Sequence, residues 1–285
     1  MSKFLEECAK MLKEKGDNVL RLSEQLPGGE IETLELVPSN RCQDIYSGAK
    51  AFTMTAIGIL CDDGVLSVDD KITDIFADKL PDNIDPRWEK ATVEHAILHT
   101  VGFPSSFMDI DTDSTLKFGR DHFRNMFSVP LAYVPGEGRI YTDASHYLLS
   151  RVVTEKTGMR LDDFLWDRLF AGLGFLEAAW SRCPMGYPVG GTGLYIHSSD
   201  MIKLPILYRD GGIYGGKRYL SEDWVNTVLR KEYCFEWDKT GKVFFKGGMN
   251  GQKMLFNKIN GRAVSMQSYG ANSDHLALFA AEYTD

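Results

Sequence analysis

A serine and a lysine three residues apart are the side chains whose spacing most directly predicts chemistry. Ser47 and Lys50 stand in Tyr-Ser-Gly-Ala-Lys, and an apolar segment typical of a buried helix follows over residues 51–60. Residues three apart share a helix face, so Ser47 Oγ is expected beside Lys50 Nζ. A desolvated lysine can take the serine proton and so activate the hydroxyl as a nucleophile. The same spacing also fits a helix-capping serine with a solvated lysine.

A nucleophilic serine also needs a base, donors for the oxyanion and a proton for the leaving group, and two later segments supply candidates. Tyr141 precedes a helix predicted over residues 145–156, which puts it on a loop at the helix entrance. Lys246 follows three apolar residues and precedes Gly247 and Gly248. Glycines beside a strand permit close approach of the backbone to a ligand.

The elements that must position these side chains run from strands through helices back to strands. Strands are predicted over residues 18–26, 31–37, 242–245, 252–256, 263–268 and 276–280. Helices are predicted over residues 1–15, 51–60, 91–99, 145–156, 162–170, 199–210 and 221–229.

This order predicts an α+β fold with an antiparallel sheet formed from both chain ends, flanked by helices, and an inserted, mostly helical lobe. Residues 1–60 and 200–285 are expected to form the lobe that contains the sheet, and residues 61–199 the helical lobe.

Composition narrows the classes of partner. The 285 residues carry a net charge of −8 and no run of Lys or Arg, which argues against nucleic acid and anionic membranes as partners. No apolar run has transmembrane length, and the N-terminal segment lacks a signal-peptide pattern. The five cysteines are widely spaced without C-x-x-C pairs, which predicts reduced thiols. A cytoplasmic protein without metal or cofactor is therefore expected.

Three further motifs have plainer interpretations. His95 and His99 stand at i, i+4; a metal pair is one interpretation, and a helix with one buried, hydrogen-bonded histidine is the favoured one. Residues 190–193 read Gly-Gly-Thr-Gly, and a tight turn is favoured over a phosphate loop because the lysine-serine ending is absent. No G-x-S-x-G occurs, which disfavours an α/β-hydrolase.

With Ser47, Lys50, Tyr141 and Lys246 in this order, the chain resembles the serine β-lactamase and penicillin-binding protein superfamily over roughly residues 40–285. Its class C β-lactamase-like branch, which includes esterases and peptidases, is the most similar. The intervening segments that also match are residues 63–70, 96–104, 141–158, 191–195 and 198–201.

The resemblance implies roles for single residues. Ser47 would be the acylated nucleophile, and Lys50 would share its proton. Tyr141 would be the general base, with its phenolate stabilised by nearby ammonium groups. Lys246 would add positive potential and could hold a substrate carboxylate. The backbone N–H groups of Ser47 and Met249 would form the oxyanion hole.

Two positions depart from the family pattern. Asp143 replaces the usual Asn, whose amide can donate to a substrate carbonyl, whereas an ionised Asp cannot. Asp143 would also favour the charged form of a nearby lysine, which shifts the role of base towards Tyr141, or it could bind a cationic substrate group. Gly247 replaces the threonine of Lys-Thr-Gly and removes a hydroxyl that could bind a carboxylate, while Gly248 keeps the glycine.

The sequence thus predicts a serine hydrolase that forms an acyl-enzyme on Ser47 with a small-molecule ester, amide or peptide-like substrate. Three alternatives stay open: a β-lactamase or D-alanyl peptidase, an acyltransferase, and a catalytically impaired scaffold that binds ligands. The oligomeric state is left open.

Overall fold

The computed structural model describes residues 2–284 and has the strands and helices of a mixed fold. The strands are β1 Val19–Gln25, β2 Glu32–Glu35, β3 Gln43–Asp44, β4 Ala178–Trp180, β5 Leu194–Ile196, β6 Ile213–Tyr214, β7 Lys217–Arg218, β8 Glu236–Trp237, β9 Val243–Gly247, β10 Lys253–Asn257 and β11 Ala263–Ser268. The helices are α1 Lys3–Glu14, α2 Ala49–Asp62, α3 Ile72–Ile75, α4 Val93–Ile97, α5 His122–Ser128, α6 Asp143–Thr157, α7 Leu161–Leu165, α8 Ser198–Met201, α9 Lys203–Arg209, α10 Glu222–Lys231 and α11 Ser273–Glu282.

A six-stranded antiparallel sheet joins the two ends of the chain. Its strand order is β2-β1-β11-β10-β9-β8, so N-terminal strands pair with C-terminal ones. The junction is the β1–β11 pair, which runs from Val19 opposite Ser268 to Gln25 opposite Ala263. The hairpin of β1 and β2 lies where the Pro-Gly-Gly-Glu turn predicts it. The predicted fold class, with a sheet built from both chain ends, is confirmed.

Helices α1 and α11 cover one face of this sheet. Leu5, Cys8 and Leu12 place an apolar stripe of α1 in the core. Leu255 of β10 and Val264 of β11 meet this stripe from the sheet. The amphipathic N-terminal helix is confirmed from Lys3 onward, while Met1 lies outside the described residues. This packing fixes the sheet whose strand β9 ends in the Lys246-Gly247-Gly248 segment.

The predicted strand over residues 276–280 is wrong, because this segment belongs to α11. Leu276, Ala277 and Ala280 are buried at helical spacing, and Asn272 caps the helix by accepting a hydrogen bond from the Asp274 N–H. A short apolar run fits a strand and a helix equally well, and here the cap and the sheet face beneath decide the outcome.

The chain divides into two compact units. The first comprises the described residues of Met1–Ala51, Leu169–Ala179 and Leu194–Asp285, and the second comprises Phe52–Arg168 and Trp180–Gly193. This division differs from the predicted bounds at residues 60 and 200. One cause is the pairing of β3 with β5, which assigns residues 194–196 to the unit with the sheet.

The second unit is mainly helical, with α3 to α7 and most of α2. Its core includes an aromatic cluster in which the Trp88 ring lies 4.4 Å from Phe127 and 5.7 Å from Phe103, measured between centroids. Helix α6 contacts α3, α4 and α7, so it is the central helix of this unit. No helix within residues 2–284 is both long and apolar enough to cross a membrane.

Candidate active site

A strained turn holds Ser47 directly before α2. Ser47 lies in a 3-10 turn, Tyr46–Gly48, and its neighbour Tyr46 has a φ of +48°. That left-handed backbone costs a non-glycine residue about 1–2 kcal/mol. The Tyr46 N–H donates to Asp44 Oδ1 at 2.7 Å, which helps to hold the turn. Strained residues of this kind cluster at functional sites.

Lys50 lies one turn further on, in the first turn of α2. Its side chain is fully buried, and Nζ donates to Ser47 Oγ at 3.1 Å. The predicted proximity of the two side chains is confirmed, although Ser47 precedes the α-helix rather than lying within it. A hydrogen bond of this length is what proton transfer between the two groups requires.

The Lys246-Gly247-Gly248 segment ends β9 beside the Tyr46–Gly48 turn, and β9 contacts that turn. Lys246 is buried. A Cβ on Gly248 would lie 2.5 Å from the Ile45 carbonyl oxygen. Only glycine therefore lets the end of β9 pack against the backbone that precedes Ser47. At Gly247 the nearest atom to a Cβ would be the Gln252 carbonyl oxygen at 3.3 Å, which is less crowded.

Met249 lies in the tight turn between β9 and β10, with its side chain largely exposed. The flanking N–H groups are both held by Gln252: Gly248 donates to its carbonyl oxygen at 2.8 Å, and Asn250 donates to its Oε1 at 3.2 Å. The Gln252 amide in turn donates to the Ser268 carbonyl oxygen at 2.6 Å. The backbone at Met249 is thus fixed by one buried residue, through its carbonyl oxygen and its side chain, which sequence reasoning did not single out.

A second buried lysine, Lys253, lies close by in sequence and on the other face of the sheet. It pairs with Gly247, whereas Lys246 pairs with Met254, so the two lysines alternate across the strands. Lys253 Nζ lies 3.9 Å from the Phe245 ring centroid, and burial lowers its pKa. Lys246 is therefore the lysine on the opposite side from α1 and α11.

In the second unit, Tyr141 stands two residues before α6, on the predicted loop at a helix entrance. The helix begins at Asp143 rather than at Ser145, because Thr142 is its N-cap and accepts from the Ala144 N–H at 3.3 Å. Thr142 Oγ1 also donates to the Phe107 carbonyl oxygen at 2.9 Å. Tyr141 keeps 39% of its surface exposed, so the residue is partly accessible to solvent.

His99 contacts Tyr141 directly, a role that sequence reasoning missed. Their ring centroids lie 4.4 Å apart, and His99 Nδ1 accepts a hydrogen bond from the Thr142 N–H at 3.3 Å. The His99 carbonyl oxygen accepts from the Ile140 N–H at 2.9 Å. A signal was present, because His99 lies in a segment that matches the family pattern, but its i, i+4 relation to His95 drew attention to metal binding instead.

Helix α4 ends at Ile97, two residues before the predicted end at His99, so His95 and His99 do not share a helix face. His95 belongs to the helix start instead: its Nδ1 accepts from the Thr92 N–H at 3.1 Å in a capping box. Burial lowers the pKa of the His95 imidazole. The helix is shorter than predicted because the chain turns at His99, whose φ is +60°.

Asp143 lies at the first position of α6 and is buried. The partial positive charge of a helix N-terminus stabilises a carboxylate there. Carboxylate oxygens of Asp109, Asp111 and Asp143 lie within 4.8 Å of one another, and these three residues could hold a metal ion. The Thr192 hydroxyl donates to Asp111. The residue that departs from the family pattern therefore sits in a strongly acidic cluster.

The predicted site residues are thus distributed over both units. The first unit contains Ser47, Lys50 and residues 246–249, and the second contains Tyr141 and Asp143. Within the first unit, the structure brings the serine, the lysine of α2 and the glycine-rich end of β9 together.

Comparisons with known proteins agree with this arrangement. The family described as "Beta-lactamase" matches residues 28–282. A protein from Escherichia coli O157:H7 named "Putative D-alanyl-D-alanine carboxypeptidase" is 25% identical over 253 residues, which are 84% of this chain and 53% of that protein. The chain therefore spans about half the length of this relative.

Solved structures share the fold at lower identity. D-amino acid amidase from Ochrobactrum anthropi SV3 is 17% identical with a TM-score of 0.73, covering 98% of this chain and 97% of that one. A penicillin binding protein from Bacillus halodurans is 18% identical with a TM-score of 0.70, covering 97% and 100%. These likenesses confirm the β-lactamase-like fold.

Proposed function

The chain belongs to the beta-lactamase family, and from this premise we propose that it is a serine hydrolase that forms an acyl-enzyme on Ser47. The observation that carries the proposal is the 3.1 Å hydrogen bond between the fully buried Lys50 Nζ and Ser47 Oγ. A buried amine at this distance can exchange a proton with the serine hydroxyl, which a solvated surface lysine would not do. The strained backbone at Tyr46 supports the same interpretation.

In the proposed reaction, Ser47 Oγ attacks the carbonyl carbon of an ester or amide as its proton passes to the base. The base is Tyr141, with Lys50 sharing the serine proton. The tetrahedral oxyanion accepts hydrogen bonds from the backbone N–H groups of Ser47 and Met249. The leaving alcohol or amine departs with the transferred proton. Water then attacks the acyl-serine, the acyl–Oγ bond breaks, the acyl group leaves as a carboxylic acid, and Ser47 regains its hydroxyl proton. The family assignment and the order of the motifs support these roles.

The proposed substrate class is an ester or amide that lacks the carboxylate recognised by Lys-Thr-Gly enzymes. Gly247 offers no hydroxyl, and the acidic cluster around Asp143 would repel an anionic group placed beside it. Lys246 keeps the positive charge of the motif. A D-alanyl peptidase is the second candidate, because a curated relative is named as a putative D-alanyl-D-alanine carboxypeptidase. A cytoplasmic location stays a prediction.

A fluorophosphonate probe tests the proposal, since it phosphonylates activated serines. We expect the intact mass to rise by one adduct, mapped by peptide mass spectrometry to Ser47. Ser47→Ala should lose the adduct and the hydrolysis of p-nitrophenyl esters, whereas Ser128→Ala, an exposed serine at the end of α5, should keep both. An unlabelled wild-type protein, or ester hydrolysis that survives Ser47→Ala, would show that the proposal is wrong.

A substrate panel separates the two candidates. Esters and D-amino acid amides should be turned over, while nitrocefin and peptides ending in D-Ala-D-Ala should react slowly. Preferred turnover of the D-Ala-D-Ala peptides would instead identify the second candidate.

A further inference from the structure

We infer that His99 is a positioning residue that fixes the phenol of Tyr141 for its role as base. The inference rests on the proposed function, since it presumes that Tyr141 serves catalysis. All of the contacts that carry it lie within the second unit. His99 itself does not need to touch a substrate for this role.

His99 holds the segment around Tyr141 at three points. Its carbonyl oxygen accepts from the Ile140 N–H at 2.9 Å, and its Nδ1 accepts from the Thr142 N–H at 3.3 Å. Between these two bonds, its ring packs against the Tyr141 ring at 4.4 Å and an angle of 33°. Because Nδ1 accepts, a neutral imidazole must carry its proton on Nε2. One residue thus fixes the backbone on both sides of the tyrosine and one face of the phenol.

The His99 ring also packs against a second histidine ring. Its ring lies 4.8 Å from the ring of His146, which is fully buried in α6. Only 6% of the surface of His99 is exposed. The His99 ring therefore contacts both the partly exposed Tyr141 and a buried ring of the central helix of the unit.

The backbone conformation of His99 indicates that its side chain has a role other than ending the helix. Helix α4 ends in a Schellman motif, in which the Thr100 N–H donates to the His95 carbonyl oxygen and the His99 N–H donates to that of Ala96. The position that His99 occupies, with φ +60°, is the one that glycine most commonly takes. A histidine that breaks this local preference indicates a function that glycine could not serve.

A double-mutant cycle on Ser47 acylation tests the inference. We expect His99→Gly to slow acylation by a p-nitrophenyl ester about 10- to 100-fold, because a misplaced catalytic group loses rate steeply with small displacements. The loss should lie in kcat with KM nearly unchanged. In a Tyr141→Phe background, His99→Gly should slow acylation no further, since the group it positions is gone.

Two more variants separate positioning from general damage. His99→Asn tolerates a positive φ and keeps an acceptor for the Thr142 N–H, so it should recover part of the lost rate. Glu232→Gly, at the exposed end of α10 with φ +54°, removes a side chain from the same backbone conformation far along the chain and should leave kcat unchanged. If His99→Gly does not fold, the same cycle is run with His99→Asn, whose smaller loss should likewise vanish in the Tyr141→Phe background.

The outcomes distinguish the inference from the proposed function. If the wild-type protein is not acylated on Ser47, or Tyr141→Phe acylates at the wild-type rate, the proposed function or its base is wrong, and the inference falls with it. If Tyr141→Phe is slow but His99→Gly is as fast as wild type, the inference alone is overturned. Equal losses from His99→Gly with and without the tyrosine hydroxyl would also overturn it, since they indicate a structural effect.

Discussion

At the scale of single residues, the buried amine of Lys50 is the group whose removal should slow the reaction of Ser47 most. We expect Lys50→Met to reduce fluorophosphonate labelling of Ser47 by about 10²- to 10⁴-fold, the usual contribution of acid–base catalysis. Methionine fills a similar volume without a polar group, so a thermal midpoint measured beside the labelling rate separates the loss of a base from the loss of the fold. Labelling rates and thermal unfolding measure the two effects.

The control for Lys50→Met is Lys10→Met, an exposed position on α1 that should change neither labelling nor stability. Wild-type labelling in Lys50→Met would contradict the role of the lysine. A collapse of stability without the labelling loss would assign Lys50 a structural role instead.

Asp143 is the residue whose chemistry departs most from the family pattern. Asp143→Asn places an amide that can donate a hydrogen bond where an ionised carboxylate can only accept one. Substrates with an acyl-amide carbonyl should therefore be turned over faster. We expect turnover of nitrocefin and D-alanyl peptides, relative to a p-nitrophenyl ester, to rise about tenfold, the effect of one charge-free hydrogen bond of roughly 1.4 kcal/mol. Steady-state kcat/KM for each substrate gives this ratio.

Asp163→Asn offers a matched control, because Asp163 is an exposed carboxylate in the first turn of α7. Its substrate ratio should equal that of the wild type. An unchanged ratio in Asp143→Asn would mean that the carboxylate does not face the substrate, whereas activity that appears only in this variant would support the impaired-scaffold alternative.

At the scale of elements, the approach of β9 to the Tyr46–Gly48 turn depends on one missing side chain. In Gly248→Ala, the new Cβ would meet the Ile45 carbonyl oxygen at 2.5 Å and Gln252 Oε1 at 2.6 Å. Backbone cannot yield as a flexible side chain does, so we expect a loss of about 1–3 kcal/mol in unfolding free energy and a displaced Ser47 turn. Urea unfolding and labelling of Ser47 should both report the change.

Gly29→Ala in the β1–β2 turn makes the same substitution where the nearest atom, the Leu26 carbonyl oxygen, lies 3.3 Å away. It should change stability by less than Gly248→Ala and leave labelling intact. Equal effects of the two substitutions would contradict the packing argument for Gly248.

The elements also show where sequence reasoning succeeds and where it stops. Strand β11 was predicted with its observed bounds, because residues 263–268 are β-prone and bounded by turn residues. The prediction of a strand over residues 276–280 was wrong, because five apolar residues fit either a strand or a helix until the sheet face that they pack on is known. The proximity of Ser47 to Lys50 follows from a three-residue spacing, but the contact of His99 with Tyr141 joins positions 42 apart and needs the tertiary fold.

At the scale of the whole molecule, buried histidines make stability depend on pH. His122 is 2% exposed, with Phe118 and Tyr147 rings beside it, and burial lowers its pKa despite the nearby Gly119 carbonyl and Asp121 carboxylate. The pKa of His95 is lowered for the same reason.

Because these pKa values are lower in the folded state, the unfolded chain takes up more protons as the pH falls below about 6.5, the ordinary value for histidine. The free energy of unfolding is therefore highest above that pH, where these histidines are neutral in both states. It decreases as the pH falls towards the folded-state pKa. We expect the urea midpoint to fall between about pH 7.5 and about pH 5.5, and to fall less in His122→Phe, which keeps a ring but cannot take up a proton.

Arg124→Gln, an exposed neighbour on α5, should keep the wild-type dependence of the urea midpoint on pH. Equal falls in wild type and His122→Phe would show that His122 is not a source of the acid sensitivity.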